Sequence, residues 1–274
     1  LAMCAVVLPR SRPAAPARGE TPDGAAWLLA RGTAAVASVV WTVSLAVEIV
    51  LTYAQVAGRP IGGETFGAEL RVFLTQIELG QALVWALGLT ATVSLGAVAV
   101  GGYASAAWAA VGSLIAFVPI AATGHASGSA NHMLAVGSLW LHLVGVTIWI
   151  GGLAILVAVA GALGRDLRVA AERFSQVAIW AYALVAVSGL INGYVRVGSL
   201  AGLSTSYGAL LLAKAGLAVV LGLAGWWHRR RTIPQFTTGR TTPFWRLVAG
   251  EVLPAGAAMG LAVALSNTAP TIPD

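Results

Sequence analysis

Apolar residues run through this chain in long blocks, with polar residues gathered between them. The blocks lie at residues 25–56, 77–100, 103–122, 133–162, 173–196, 207–228 and 245–267. An α-helix needs about 20 such residues to cross about 30 Å of hydrocarbon. Strand-like alternation is absent, so helices that satisfy their own backbone hydrogen bonds are expected, not a barrel. The predicted fold is all-α, a polytopic transmembrane helical bundle of seven complete spans. An eighth, truncated span is expected to end within residues 1–8. Residues 1–24 thus read as a truncated helix end and a Pro/Arg-rich cytoplasmic linker, 25–268 as the transmembrane domain, and 269–274 as an outer-face tail. Between the first two spans, Phe66, Leu70, Phe73, Leu74 and Ile77 recur at helical spacing among Glu64, Glu69 and Arg71. That pattern predicts a short helix lying on the membrane surface. Gly101-Gly102 predicts a tight turn between spans two and three.

Composition strengthens the membrane reading. Hydrophobic residues make up 58% of the chain and charged ones 9%, which excludes an ordinary soluble domain. The single cysteine, Cys4, excludes an intramolecular disulfide and a Cys-rich metal site. The net charge of +6 does not point to nucleic acid, because the arginines follow topology. Arg10, Arg12 and Arg18, then Arg165, Arg168 and Arg173, then Arg229, Arg230, Arg231 and Arg240 fall on one side, with Arg246 just inside the last span. The other side has Arg59, Arg71 and Arg196. The first set is therefore expected to be cytoplasmic. An inner aromatic belt is expected from Trp27, Trp108, Trp226, Trp227 and Trp245, and an outer one from Tyr53, Phe73, Tyr194 and Tyr207. No ATPase motif or phosphate loop appears, and no enzymatic activity is expected.

On this topology, the run Gly124-His125-Ala-Ser-Gly-Ser-Ala-Asn-His132-Met133 faces outward. Imidazole beside a thioether suits copper best among common ions. His125, His132 and Met133 are therefore candidate ligands, the alternative being a pair of solvated loop histidines. Charged groups inside spans are rare and usually functional. Here they are Glu48, Glu78, Lys214 and Glu251, joined by His142 and Asn192. From a rise of about 1.5 Å per residue, Glu48, His142 and Lys214 lie about 12, 13 and 10 Å below the outer ends of their spans. Asn192 and Glu78 lie nearer the outer surface, and Glu251 and His228 in the cytoplasmic half. This layering reads as an outward-opening polar cavity with His142 and Glu48 as metal ligands and Glu78, Asn192, Lys214 and Trp149 in support. The competing readings are a Glu48–Lys214 ion pair that ties two helices together, and a core His142 bonded to Glu48 or Asn192. Ten helical residues would separate His132 from His142 by about 15 Å, too far to share one ion. Two stations are expected, one at the mouth and one deeper. His142, Gly145, Trp149 and Gly152 share one face of span four, where small residues permit close helix approach.

Gly124-His125, then His142 with Trp149-Ile150-Gly151-Gly152-Leu153, stand in order along the chain. They are followed by Arg173-Phe174-Ser175, Ser188-Gly189, Tyr207-Gly208, Leu210 to Lys214, and His228-Arg229-Arg230. In this ordered set the chain resembles the CopD family of bacterial copper-resistance membrane proteins, most closely over residues 120–232. The resemblance implies an inner-membrane helical bundle that handles copper at its periplasmic face and imports it. It also implies membrane lipid and a copper ion as partners, with a periplasmic copper carrier, or a fused or associated cytochrome oxidase assembly domain of the CtaG type, as further ones. The family usually carries more methionine in its outer loops than the lone well-placed Met133. Two other readings stand beside copper transport: a membrane redox protein binding haem b, and a non-transporting assembly scaffold.

Overall fold

The structure, a computed structural model, describes residues 24–122, 132–236 and 242–268. The truncated span expected at 1–8, nearly all of the linker, His125 and the 269–274 tail lie outside the described residues. Among the described residues all regular elements are helical and none is a strand. The cause is the Ala, Leu, Val and Gly content of the blocks: in hydrocarbon the backbone has only itself to bond to. Six uninterrupted helical runs are long and apolar enough to cross a membrane, and one of them, Met133–Val197, contains two helices. Each of the seven predicted spans therefore coincides with a helix. The chain divides into two compact units.

The first unit holds α1 (Ala25–Ala57), α2 (Phe66–Gln76), α3 (Glu78–Val98) and α4 (Tyr103–Ala122). α1 ends on Gly58 at φ 63°, a left-handed conformation that glycine adopts without strain. Leu45, Ile49 and Tyr53 of α1, Phe73 of α2, and Leu83 and Ala86 of α3 form a core. The apolar face of the predicted short helix is thus spent on its neighbours, with Phe66, Leu70 and Leu74 packed around that core. α2 is pinned by its polar side as well. Tyr53 donates to Glu69 Oε2 at 2.7 Å and Arg59 to Oε1 at 2.7 Å. The hydrogen bond from Tyr53, then one from Thr65, with the Arg59 charge, hold the Glu69 carboxyl below the usual carboxylate range, against the effect of burial. Thr42 and Ser94 hydroxyls meet at 2.8 Å between α1 and α3. The Gly101-Gly102 turn appears as expected, its backbone N–H groups capped by Ser105 Oγ at 3.2 and 3.1 Å.

The second unit holds α5 (His132–Leu163), α6 (Leu167–Val197), α7 (Ser206–Trp227) and α8 (Thr242–Ser266). Gly164, at φ 51°, turns the chain back through a 3₁₀ turn, Gly164–Asp166, so that α5 and α6 form an antiparallel hairpin. The fifth span begins earlier than the expected residue 173. Arg168 bonds Glu172 at 2.9 Å one turn on, which keeps this charged segment helical. The basic run after span six is likewise not an open loop. His228–Thr232 continue α7 as a π turn, with Arg230 over Trp226 at 4.9 Å and Arg231 over Trp227 at 5.9 Å.

The aromatic belts need correction. Trp108, Trp226, Trp227, Trp245 and Tyr194 are exposed, as interfacial anchors would be. Trp27, Tyr53, Phe73 and Tyr207 are buried. Trp27 packs edge-on against Tyr103, with ring centroids 4.9 Å apart. A large ring within reach of a neighbouring helix gains more by packing there than at the interface.

Candidate functional site

The α5–α6 hairpin sets the register that builds the site. Facing residues lie about equally far from the Gly164–Asp166 turn, so His142 meets Ser188, Gly145 meets Val185, and Trp149 meets Tyr182. Gly145 makes the approach possible. A Cβ there would stand 2.8 Å from the Val185 side chain and 3.0 Å from the Ala181 carbonyl oxygen.

His142 is half-buried between the two helices. Its Nδ1 lies 3.2 Å from the Val185 carbonyl oxygen and 3.1 Å from Ser188 Oγ. A carbonyl only accepts, so Nδ1 carries the hydrogen. The Ser188 hydroxyl donates to Leu184 O at 2.6 Å and is free to accept from the imidazole as well. Nε2 is left with the lone pair, the atom a soft cation would seek. Asn192 donates to the Ser188 carbonyl oxygen at 3.1 Å, one turn further along α6. The competing reading has a core His142 bonded to Asn192 or Glu48; the observed partners are Ser188 and Val185 instead. The Lys214 ammonium of α7 lies within electrostatic range of His142, and Arg196 within range of Lys214.

Two turns along the same face of α5, Trp149 donates from Nε1 to Glu251 Oε2 of α8 at 3.2 Å. Tyr182 of α6 stands edge-on to Trp149, centroids 5.5 Å apart at 87°, and its hydroxyl donates to Ala218 O of α7 at 3.0 Å. Three helices of the unit thus meet at Trp149, and Tyr182 links them to the fourth. His228 Nδ1 lies 3.0 Å from Thr232 Oγ1. Its Nε2 lies against Gly250, where a Cβ would come within 2.8 Å.

The remaining candidates are dispersed. Glu48 on α1 and Glu78 at the start of α3 belong to the first unit, and both side chains are exposed. Met133 is 82% exposed. His125 lies outside the described residues, and of His132 the backbone alone is described. α5 begins at His132, so continuous helix separates its backbone position from that of His142 by about 15 Å. Among the described residues no group of three or more His, Cys, Asp or Glu side chains is placed to hold a metal. Sequence reasoning missed three residues that the packing brings forward: Ser188, Tyr182 and Glu251 as the partner of Trp149. The one available signal was the hairpin register, which follows once the turn is put at Gly164.

Residues 1–133 match the family model described as copper resistance protein D-like, N-terminal domain, and residues 168–265 match that of copper resistance protein D. The chain belongs to the copper resistance protein D family. Copper transport protein CutJ of Bacillus subtilis (strain 168) is 37% identical over 123 residues, which make up 43% of this chain and 23% of that protein. The chain therefore spans about a quarter of the length of the curated relative it matches. No solved structure matches it. The N-terminal family model ends at residue 133, close to the boundary between the two compact units. This copper resistance family member is a multi-pass membrane protein with a copper-related function, and its family's names point to copper transport and resistance rather than catalysis.

Proposed function

We propose that the protein takes copper from the outer face of a bacterial inner membrane and imports it or hands it on. His125, His132 and Met133 capture the ion at the mouth. His142 receives it deeper, through Nε2. The observation that carries this reading is the half-buried His142, its Nδ1 anchored to α6 in a hairpin that spans the membrane, in a chain of the copper resistance family. Copper is the cargo, so the site has to release it. The Lys214 cation within range of His142 opposes tight binding of a metal cation there, which suits passage more than storage. Asn192 and Trp149 support the α5–α6 face, and Lys214 sets the local charge. A periplasmic carrier, or a fused or associated oxidase assembly domain, is the proposed exchange partner.

Copper accumulation in cells and copper titration of the purified protein test the two stations separately. His142→Ala is expected to leave the stoichiometry of mouth binding unchanged and to abolish the protein-dependent part of accumulation. Paired His125→Ala and His132→Ala changes are expected to lose mouth binding. Normal accumulation in His142→Ala would overturn the two-station reading.

A further inference from the structure

Glu251 is a carboxyl in a membrane-spanning helix that is only 6% exposed. Among the described residues its one hydrogen bond is the 3.2 Å contact from the Trp149 indole, long for a charge-assisted bond. α5 presents Trp149 to it; Tyr182 of α6 stands edge-on to that indole with its hydroxyl committed to Ala218, and His228, at the end of α7, lies against Gly250, the residue before Glu251. Among the described residues it forms no ion pair. A buried carboxylate with one neutral donor and no counter-ion is costly in hydrocarbon. The group therefore needs a cation. A lone hard carboxylate whose one polar partner is an indole N–H is a poor host for a soft metal ion, which leaves the proton.

From this setting we infer that Glu251 is a proton-exchange site, and that its proton traffic is coupled to copper movement through α5. The step moves H⁺ alone: an O–H bond forms on the carboxylate as one breaks on water, and the reverse occurs on release, with no redox change. α5 is the physical link, because Trp149 touches Glu251 and shares its helix face with His142, about 10 Å along the axis. The coupling rests on the copper reading above; the proton site itself does not.

The test uses the full chain in liposomes. Infrared difference spectra across a pH step are expected to show a carboxylic C=O band that is lost in Glu251→Gln and kept in Glu48→Gln and Glu78→Gln. Glu251→Asp, which retains a carboxyl, is expected to keep a shifted band and covers the case in which Glu251→Gln fails to fold. A band unchanged in Glu251→Gln, or no band in the wild type, overturns the proton site. Copper-driven change of internal pH, followed with a trapped dye, reads the coupling. It is expected in the wild type and absent in Glu251→Gln, which still binds copper at the mouth. Copper uptake without proton movement overturns the coupling. Absence of any copper uptake in the wild type overturns instead the copper reading, and the infrared result then decides the proton site alone.

Discussion

At the scale of single residues, the decisive contact is His142 with Ser188. A histidine that ligates a metal needs its other ring nitrogen held, so that the lone pair points consistently. Val185 O and Ser188 Oγ do this together. Ser188→Ala removes one of the two acceptors and leaves the other. It is expected to cost about 1 kcal/mol in thermal unfolding in detergent and to slow copper uptake, while copper titration at the mouth is unchanged. Uptake at the wild-type rate would show that Ser188 does not position the imidazole. His142 was legible in the sequence as an unusual group in a span. Its partner was not, because hydroxyls are common in apolar helices and the register alone singles this one out.

At the scale of elements, α2 shows how a short amphipathic pattern is used. Its spacing predicts the helix, and the structure directs its apolar face onto α1 and α3 through Phe73 and the residues around it. Its polar anchor is Glu69, bonded by Tyr53 and Arg59. The folded-state carboxyl titrates below its ordinary range. Its contribution to docking is therefore complete above that range and is lost as pH falls through the lowered folded value. Hydrogen exchange of α2 amides, corrected for intrinsic rates, is expected to be faster at about pH 3 than at neutral pH. Glu69→Ala is expected to give the fast rate at both. Equal protection in the wild type at the two pH values would show that the anchor does not hold α2. The hairpin of α5 and α6 makes the same point about elements: seven apolar blocks are visible in the sequence, but the closeness of two of them depends on Gly145 and on the Gly164 turn.

At the scale of the whole molecule, arginine placement predicts that the Gly164–Asp166 turn faces the cytoplasm. With Cys4 replaced by Ala, a cysteine introduced as Asp166→Cys is expected to react with a membrane-impermeant thiol reagent in inverted vesicles and to be silent in intact cells. Labelling in intact cells would reverse the orientation and turn the His125–Met133 run inward. Of these arginines, Arg168, Arg230 and Arg231 lie in helical segments, Arg168 bonded to Glu172 and Arg230 and Arg231 over Trp226 and Trp227.

By itself the sequence determined that this chain is a bundle of membrane helices. Hydrocarbon leaves an apolar backbone few alternatives, and span length and period are local properties. It also determined which polar groups are costly enough in a span to matter, because burial cost follows from residue type and depth. Tertiary structure alone decided which of them meet. Trp149 and Glu251 stand 102 positions apart on helices whose adjacency is set by packing, and no periodicity within either helix encodes that. It also decided that Trp27, Tyr53 and Tyr207 serve the core and not the interface, because the better site for a large ring depends on what neighbour arrives beside it.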